Sequence, residues 1–244
     1  MLKFIRTSRK LEMENRRQPK MPRKRGRPAQ KQNMSDDILN AAERLFAEAG
    51  YESVSQRQVA AEAQIDQALI NYHFGSKEGL YKAVIKRYSK DIVDKWEKGL
   101  REIEADESNI DIKEVITSYV SPFFDYRRQP DLLVLKLQAR LHAETSPFFL
   151  EIRRDLFDEA SRKYIKYLIK ALPDADPADI AWRFVFTIGA FLFVGPGTDR
   201  LDDLSDGAYR VETPEEAVSR LISFLVGGFS APPTYPHSVP QVPR

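Results

Sequence analysis

A short polar stretch near residue 70 carries the side chains in this sequence best suited to a chemical task. Gln67, Ala68 and Asn71 lie at helical spacing, and apolar residues occupy the opposite side. Glutamine and asparagine amides can pair with adenine through two hydrogen bonds, and an alanine methyl can contact the methyl group of thymine. Leu69 could also reach a thymine methyl, or it could pack inward. The pattern indicates a helix that reads the major groove of DNA; the alternative is that these residues are simply exposed.

Two capping signals define the helices around this polar face. Ser55 and Gln58 have the spacing of a capping box, which predicts a helix over residues 55–63. After a two-residue turn, Asp66 can cap a second helix over residues 67–74. Two short helices joined by a tight turn form a helix–turn–helix, which places its second helix in the major groove.

The residues around this motif resemble the DNA-binding domain of the TetR family of bacterial transcriptional regulators. The runs that carry the resemblance are Ala41–Tyr51 (AAERLFAEAGY) and Asn71–Lys77 (NYHFGSK). The resemblance covers roughly residues 34–82. The sequence departs from the family at two positions: Gln64 stands where the turn usually has glycine, and Asn71 replaces the usual tyrosine of the recognition helix.

The resemblance also implies contacts with the DNA backbone. Tyr72 and His73 match the phosphate-contacting pair of the family, and Lys77 matches a further phosphate contact. A phenol and an imidazole N–H can each donate a hydrogen bond to a phosphate oxygen. Ser55 and Arg57 open the first helix of the motif, where free backbone N–H groups favour an anion. A catalytic or metal-binding role for His73 is disfavoured, because nothing else in the sequence matches such a site.

Positive charge is concentrated at the start of the chain. The net charge is only +2, but residues 1–31 contain twelve lysines and arginines and two acidic residues, so the remainder is acidic. We predict that residues 1–33 form a disordered basic arm that attracts a polyanion. Within it, Arg25–Pro28 resembles the core of an AT-hook, in which Arg25 and Arg27 would enter an A·T-rich minor groove. The alternative is nonspecific attraction to phosphates.

The sequence predicts an all-α fold of two domains. A three-helix DNA-binding domain over residues 34–82 is followed by long amphipathic stretches, which predict a helical ligand-binding and dimerisation domain over residues 83–230. Residues 231–244 contain five prolines and no apolar period, so we expect a disordered tail.

Local signals predict where several helices begin and end. Ser35 or Asp36 is expected to cap the first helix. Pro122 is expected to kink a helix that runs from residue 112 to about residue 128, because proline removes a backbone donor. The last long helix is expected to end before Gly227-Gly228.

Two late helices contain more apolar surface than a monomer would be expected to bury. Residues 177–194 are apolar nearly all round. The helix that begins at Thr213-Pro214 carries apolar residues at positions 217, 218, 221, 222, 225 and 226. The resemblance implies that these last two long helices pair with those of a partner in a four-helix homodimer interface. The alternative is a core helix in a monomer. A dimer would read a palindromic operator in double-stranded DNA with twofold symmetry.

The resemblance implies a small-molecule effector bound in the C-terminal domain. Aromatic bulk suggests an apolar or aromatic ligand. The similarity of Trp182–Gly189 to the family branch that regulates fatty-acid metabolism suggests an acyl-CoA. Arg140 and His142 could bind a carboxylate or phosphate group, or could lie at the surface. The expected ligand-binding residues are Trp96, Tyr119, Phe123, Phe124, Arg140, His142, Phe148, Phe149, Phe184 and Ile188.

Other classes of protein are disfavoured. The chain has no cysteine and only three scattered histidines, so neither a metal site nor a cofactor is expected. It has no run of 18 apolar residues, which excludes a predicted membrane span. No constellation of nucleophile, base and orienting residue indicates an enzyme. The basic first residues lack the apolar region of a secretory signal, so we expect a cytoplasmic, nucleoid-associated bacterial protein.

Two functional hypotheses follow. The first is a DNA-binding transcriptional regulator of TetR type, a repressor that its effector releases from the operator. The second is an architectural protein that coats A·T-rich DNA without a ligand, through the arm and the helix–turn–helix together. A short protected palindrome would indicate the first, and diffuse protection the second.

Overall fold

The computed structural model describes residues 29–106, 109–124, 133–194, 199–211 and 213–233. Within these ranges the protein consists of ten α-helices and one 3₁₀ turn, Ser121–Phe124, without strands, which confirms the predicted all-α fold. The helices are α1 (Ala29–Ala49), α2 (Gln56–Glu62), α3 (Gln67–Phe74), α4 (Lys77–Glu104), α5 (Ile112–Val120), α6 (Leu133–Ala143), α7 (Pro147–Ala171), α8 (Pro177–Val194), α9 (Asp199–Leu204) and α10 (Pro214–Ser230).

Residues 34–82 form a small domain, which we call the head. Its first three helices enclose a small apolar core. Ile38, Phe46, Val59 and Ile70 from these helices are at most 1% exposed. Helices α1 and α3 both pack against α4, so the core of the head continues into the long helix that leaves it. Burial of these side chains removes apolar surface from water and holds the short helices α2 and α3 in place.

The predicted caps of α2 and α3 are confirmed. The Ser55 hydroxyl accepts a hydrogen bond from the Gln58 N–H at 3.2 Å, and the Gln58 side chain accepts one from the Ser55 N–H at 2.8 Å. Asp66 accepts a hydrogen bond from the Ala68 N–H at 2.7 Å and thereby caps α3. Each cap satisfies backbone donors that the first turn of a helix leaves free.

Helix α1 begins earlier than the sequence suggested. It starts at Ala29 rather than at a cap formed by Ser35 or Asp36, so residues 29–33 of the predicted arm are helical. The run Ala29–Gln32 contains residues with high intrinsic helix propensity, and we attribute the earlier start to this local preference.

The expected kinked helix around Pro122 is wrong. Helix α5 ends at Val120, and Pro122 lies in the 3₁₀ turn that follows it. Proline cannot donate the backbone hydrogen bond that would continue an α-helix, and its ring clashes with the carbonyl four residues earlier. The predicted continuation to about residue 128 lies partly outside the described residues.

The end of α10 also corrects the prediction. The helix continues through Gly227-Gly228 to Ser230. Phe229 is only 2% exposed, so the last turn anchors α10 in the core. The apolar area that Phe229 buries offsets the helix penalty of glycine, which is about 1 kcal/mol per residue.

Helices α4 to α8 and α10 build the larger body of the protein. Trp96 of α4, Tyr119 of α5 and Tyr164 of α7 meet at its centre, each at most 4% exposed. Arg183 of α8 donates a hydrogen bond to the Phe229 carbonyl at 2.7 Å and so ties α8 to α10. Within the described residues, none of the helices is both long and apolar enough to span a membrane.

Helices α8 and α10 leave large apolar side chains in contact with solvent. On α8 these residues recur every three, four or seven positions, and so they form one stripe: Trp182, Val185, Phe186 and Phe193, each more than half exposed. On α10, Phe224 is 70% exposed. Within the described residues, five of the ten exposed large apolar side chains thus lie on the two helices that the sequence singled out for dimerisation, and three more, Leu201, Leu204 and Tyr209, lie on α9 and the segment after it.

Candidate nucleic-acid interface and ligand cavity

The outer face of α3 presents the predicted base-reading residues to solvent. Gln67, Ala68 and Asn71 are exposed, and Leu69 is half-buried. Ile70, on the inner face, is fully buried and fixes the rotation of the helix about its axis. The amides therefore project from a helix that is anchored from behind, as direct readout of a DNA groove requires.

The turn between α2 and α3 depends on an unusual residue. Gln64 has φ of +55°, in the left-handed region that glycine enters at lowest cost. The backbone N–H of Ile65 still donates to the Ala60 carbonyl at 2.9 Å, which closes the turn. Gln64 thus adopts the backbone conformation for which the family usually employs glycine.

The predicted phosphate-contacting residues surround the base-reading face. Tyr72 is 68% exposed, and its ring meets the His73 ring edge to face at 5.2 Å. Arg57 at the start of α2 is exposed. Ser55 is also exposed, but its hydroxyl is engaged in the α2 cap, where it hydrogen-bonds Gln58. Arg57 and Tyr72 are therefore the most accessible of these residues.

Lys77 is partly engaged by the protein itself. Its ammonium donates to the Glu52 carbonyl at 3.4 Å and lies 4.3 Å from the centroid of the Tyr51 ring. A phosphate would share this cation with a carbonyl and an aromatic face. The remaining predicted DNA contacts, Arg25 and Arg27, lie outside the described residues.

The body contains an aromatic cavity of about 310 Å³ between α4, α5, α6, α7 and α8. Most of the predicted ligand-binding residues line it together: Trp96, Tyr119, Phe123, His142, Phe184 and Ile188. Trp96 stacks on Tyr119 with ring centroids 4.9 Å apart and an interplanar angle of 9°. The cavity wall is thus a set of packed aromatic rings, which suits a flat apolar ligand.

One corner of the cavity is polar. Gln138 and His142 enter it from α6, and Arg153 enters it from α7. Burial, and secondarily the charge of Arg153, lowers the pKa of His142 to about 4, so this imidazole is neutral at pH 7. Gln138 is 1% exposed, and its side-chain oxygen has no hydrogen-bond partner within the described part of the chain.

The other four predicted ligand-binding residues lie outside this cavity. Phe124 lines a separate groove between α5 and α10. Phe148 and Phe149 pack against Tyr51 of the head, with ring centroids 5.7 and 5.3 Å away. Arg140 reaches the end of α1 instead. These three residues of α6 and α7 therefore join the body to the head.

Arg140 is one of the polar links between the two domains, together with Arg87, which contacts Asn40 and Glu43, and Lys82, which pairs with Glu151. Its Nε donates to the Ala47 carbonyl at 2.8 Å, and its Nη2 donates to the Glu48 carbonyl. The last carbonyls of a helix have no partner within the helix, and a cation there also complements the helix dipole. One helix, α6, thus contacts the cavity through Gln138 and His142 and the head through Arg140.

Sequence reasoning missed nine of the residues that line the cavity, among them Gln138, Arg153, Phe157 and Phe191. Phe157 follows Arg153 by four positions on α7, so the two lie on one face of that helix. This spacing was the available signal for both. Gln138 follows no such signal, because an isolated glutamine in an amphipathic helix is typical of a solvent-facing position.

Two family models match the chain. The model described as bacterial regulatory proteins of the TetR family matches residues 38–84. The model described as the C-terminal domain of tetracyclin repressor-like proteins matches residues 117–228. Together they cover well over half of the chain, including both the helix–turn–helix and most of the body.

Curated relatives share part of the sequence. The HTH-type transcriptional activator FasR of Mycolicibacterium smegmatis is 26% identical over 103 residues, which are 42% of this chain and 44% of FasR. An HTH-type transcriptional repressor of Mycobacterium tuberculosis is 37% identical over 62 residues, 25% of this chain and 33% of that protein. The chain thus spans less than half the length of these relatives.

Solved structures share the fold. HlyIIR, a hemolysin II transcriptional regulator, superposes with a TM-score of 0.56 at 21% identity, covering 80% of this chain and 97% of HlyIIR. A TetR-like regulator from Rhodococcus sp. RHA1 superposes with a TM-score of 0.55 at 18% identity, covering 82% of this chain and 97% of its own.

The matched families and relatives are regulators rather than enzymes, which confirms the expectation that the chain is not an enzyme. The capped helix–turn–helix, the helical body behind it and the two family models agree. The chain belongs to the TetR family of bacterial regulatory proteins.

Proposed function

We propose that this protein is a dimeric, cytoplasmic repressor of transcription that a small aromatic effector releases from a palindromic DNA operator. The observation that carries the proposal is the double role of α6. Gln138 and His142 of this helix line the cavity, while Arg140 hydrogen-bonds the end of α1 in the head. A ligand in the cavity is thereby one helix away from the part that would bind DNA.

The DNA-binding part of the proposal is supported by the head. Exposed Gln67 and Asn71 have the hydrogen-bonding groups for adenine, and Ala68 has the methyl group for thymine. Tyr72, His73 and Arg57 border this face and are proposed to bind phosphates, with Ser55 and Lys77 at its edge. Relatives named as a transcriptional repressor and a transcriptional activator share sequence with this chain.

The effector is proposed to be compact. A cavity of about 310 Å³ lies at the lower end of the range for small-molecule sites, roughly 300–1,000 Å³. This volume favours a ligand of one or two rings over a complete acyl-CoA. An effector can weaken DNA binding only to the extent that it prefers the released conformation. A shift of α6 that moves Arg140 would supply such a difference between the two states.

The homodimer is supported by the exposed stripe of α8 and by Phe224 of α10. Large apolar residues at this density are usually covered by a partner. A twofold pairing would place two copies of α3 on two half-sites, about one helical turn of DNA apart, roughly 34–36 Å.

The proposal is tested by footprinting the intergenic DNA beside the protein's own gene, with and without a panel of aromatic acids, phenols and acyl-CoAs. We expect a short protected palindrome that one compound of the panel abolishes. Diffuse protection would instead favour the architectural alternative. Protection that no compound relieves would contradict the effector, while retaining DNA binding.

A pair of matched variants assigns the protection to α3. Asn71→Ala is expected to weaken operator binding about 5-fold or more, since a bidentate amide–adenine pair contributes about 1–3 kcal/mol. Asn109→Ala makes the same substitution at an exposed position between α4 and α5 and should bind like the wild type. Equal binding by both variants would remove Asn71 from the interface.

A further inference from the structure

The polar corner of the cavity contains a positive charge that no carboxylate accompanies. Of the two arginines in the lining, Arg162 pairs with Asp158 at 3.2 Å. Arg153 makes no ion pair within the described residues. Its Nη1 donates to the carbonyls of Leu141 and Glu144 at 2.7 and 2.8 Å, which leaves Nε and Nη2 without an acceptor in that part of the chain.

The two neighbours of Arg153 in this corner are uncharged. His142 is kept neutral by burial and by the adjacent guanidinium, which together lower its pKa to about 4. Gln138 contributes a buried amide whose oxygen lacks a partner within the described residues. The corner therefore has a net charge of one, next to aromatic walls. A charge in such surroundings is costly unless an anion compensates it.

Aromatic rings that pack on one another form much of the remaining cavity wall. Phe123 stacks on Phe191 with centroids 4.4 Å apart and an interplanar angle of 18°, and the Tyr119 and Phe184 rings are 4.7 Å apart. The volume of about 310 Å³ equals the liquid volume of roughly ten water molecules, at about 30 Å³ each. One or two rings fill such a space.

We infer that the cavity binds an aromatic monocarboxylate of one or two rings, with its carboxylate on Nε and Nη2 of Arg153. This inference rests on the proposed effector response and adds the chemical class of the effector and its anchoring residue. Two parallel guanidinium N–H groups match the geometry of a carboxylate. The rings would lie along Trp96, Tyr119 and Phe184.

The anchor is placed where it can act on α6. The same guanidinium of Arg153 holds the carbonyl of Leu141 in α6 and that of Glu144 just beyond its end. A carboxylate on the free nitrogens draws this guanidinium toward the cavity, and α6 also holds the head through Arg140. Arg153 would thus contact both the carboxylate of the ligand and the C-terminal end of α6.

Three compounds with a common two-ring frame test the inference: 2-naphthoate, 2-naphthol and naphthalene. Isothermal titration calorimetry with the full chain at pH 7 is expected to show that 2-naphthoate binds at least about tenfold more tightly than the other two, because hydrogen bonds to a charged group are stronger than neutral ones. Equal binding of 2-naphthoate and naphthalene would overturn the inference. A preference for 2-naphthol would do so as well, in favour of a neutral donor on Gln138.

Variants of Arg153 test the anchor. Arg153→Gln is expected to abolish the preference for 2-naphthoate while leaving naphthalene binding within about twofold of the wild type. Arg154→Gln removes the same charge from the next, exposed residue and should behave like the wild type. If Arg153→Gln keeps the preference, the carboxylate binds elsewhere and the assignment is wrong.

Arg153→Gln also removes the hydrogen bonds to the Leu141 and Glu144 carbonyls, so a second variant is needed if that protein does not fold. Arg153→Lys keeps the charge without the paired geometry, and we expect a reduced but measurable preference for 2-naphthoate. If Arg153→Gln does not fold, as judged by circular dichroism, Arg153→Lys decides: an unchanged preference contradicts a bidentate anchor. A protein that protects its operator but binds no 2-naphthoate would overturn this inference and leave the proposed function intact.

Discussion

Gly50 is constrained by both its backbone and its surroundings. It has φ of +81°, and a Cβ atom there would lie 2.8 Å from Nη1 of Arg140. Gly207 has a similar φ of +77°, but a Cβ atom there would lie no closer than 3.7 Å to its nearest neighbour, Oδ1 of Asp202, which is an ordinary contact. The two glycines therefore separate the cost of a left-handed backbone from the cost of crowding the bond between α6 and α1.

We expect Gly50→Ala to destabilise the protein more than Gly207→Ala. The left-handed backbone costs an alanine about 1–2 kcal/mol at either position. Only at Gly50 must the Arg140 guanidinium also move away from the carbonyls that it holds. Urea denaturation of both variants gives the difference in free energy of unfolding. Equal losses would show that Arg140 adapts to the extra methyl group without cost.

The neutral state of His142 predicts a stability that falls at acidic pH. Its pKa is lowered from 6.5 to about 4 in the folded protein, so below pH 6.5 the unfolded chain binds more protons than the folded one. The free energy of unfolding should therefore decrease as the pH falls from about 6.5 to about 4, by roughly 2–3 kcal/mol from this residue.

Urea denaturation at pH 7, 6 and 5 checks this prediction by comparing variants. His142→Gln should lose part of the pH dependence, because glutamine does not titrate. His142→Asn, whose amide also does not titrate, should lose the same part. If the free energy of unfolding of His142→Gln changes with pH as steeply as that of the wild type, the assignment to His142 is wrong.

At the scale of helices, sequence was most informative where a local signal fixes the geometry. The caps by Ser55 and Asp66 are single-residue signals with a fixed hydrogen-bonding pattern, and both are present. Signals that compete with packing or propensity were less informative. Gly227-Gly228 suggested the end of α10, but the burial of Phe229 extends that helix by another turn.

Only part of the candidate cavity could be predicted from the sequence. The aromatic residues of α4, α5 and α8 were found because large rings at helical spacing indicate a shared interior. The function of an arginine depends instead on which helix its side chain faces. Arg140 was expected at a ligand and holds α1, whereas Arg153 belongs to a pair of arginines that resembles a solvated surface and faces the cavity.

The position of α6 predicts that Arg140 transmits ligand binding to the head. In Arg140→Gln the donors to the Ala47 and Glu48 carbonyls are lost, so the affinity of the operator should respond less to the effector. Regulators of this kind typically show an effect of about 5–150-fold, and we expect the variant to fall below this range. Calorimetry measures the affinity of the variant for the effector. Gel-shift titrations with and without the effector measure its affinity for DNA, and their ratio gives the coupling.

Lys136→Gln is the control for this experiment. Lys136 lies one turn earlier on α6 and, within the described residues, makes no hydrogen bond to α1. Its substitution changes the charge of α6 without touching the link, so the effector should release it as it releases the wild type. If the effector also releases Arg140→Gln fully, coupling runs through other contacts, such as those of Phe148 and Phe149 with Tyr51.

For the whole molecule, the exposed apolar side chains of α8 and α10 predict that a single carboxylate introduced among them dissociates the dimer. Phe186→Glu on α8 and Phe224→Glu on α10 each place a carboxylate where about two thirds of the phenyl surface now faces solvent. A buried, unpaired charge at an interface is strongly unfavourable. Light scattering coupled to size exclusion should show a dimer for the wild type and monomers for both variants.

Leu150→Glu supplies the matched control for these substitutions. Leu150 is 43% exposed on α7, next to Phe149, which packs against Tyr51 of the head, so its variant should remain a dimer. A wild-type protein that runs as a monomer would contradict the proposed homodimer directly.

The bond from Arg140 to α1 also bears on the order in which the protein is made. Arg140 lies more than ninety positions after the carbonyls it holds, so the head leaves the ribosome well before this donor exists. Domains fold from the N-terminus during synthesis, at about 5–20 residues per second. A nascent head therefore waits several seconds for the contacts of Arg140, although Arg87 of α4 already holds Asn40 and Glu43 of α1. The contact through which α6 holds the head is thus added only after the head itself has been synthesised.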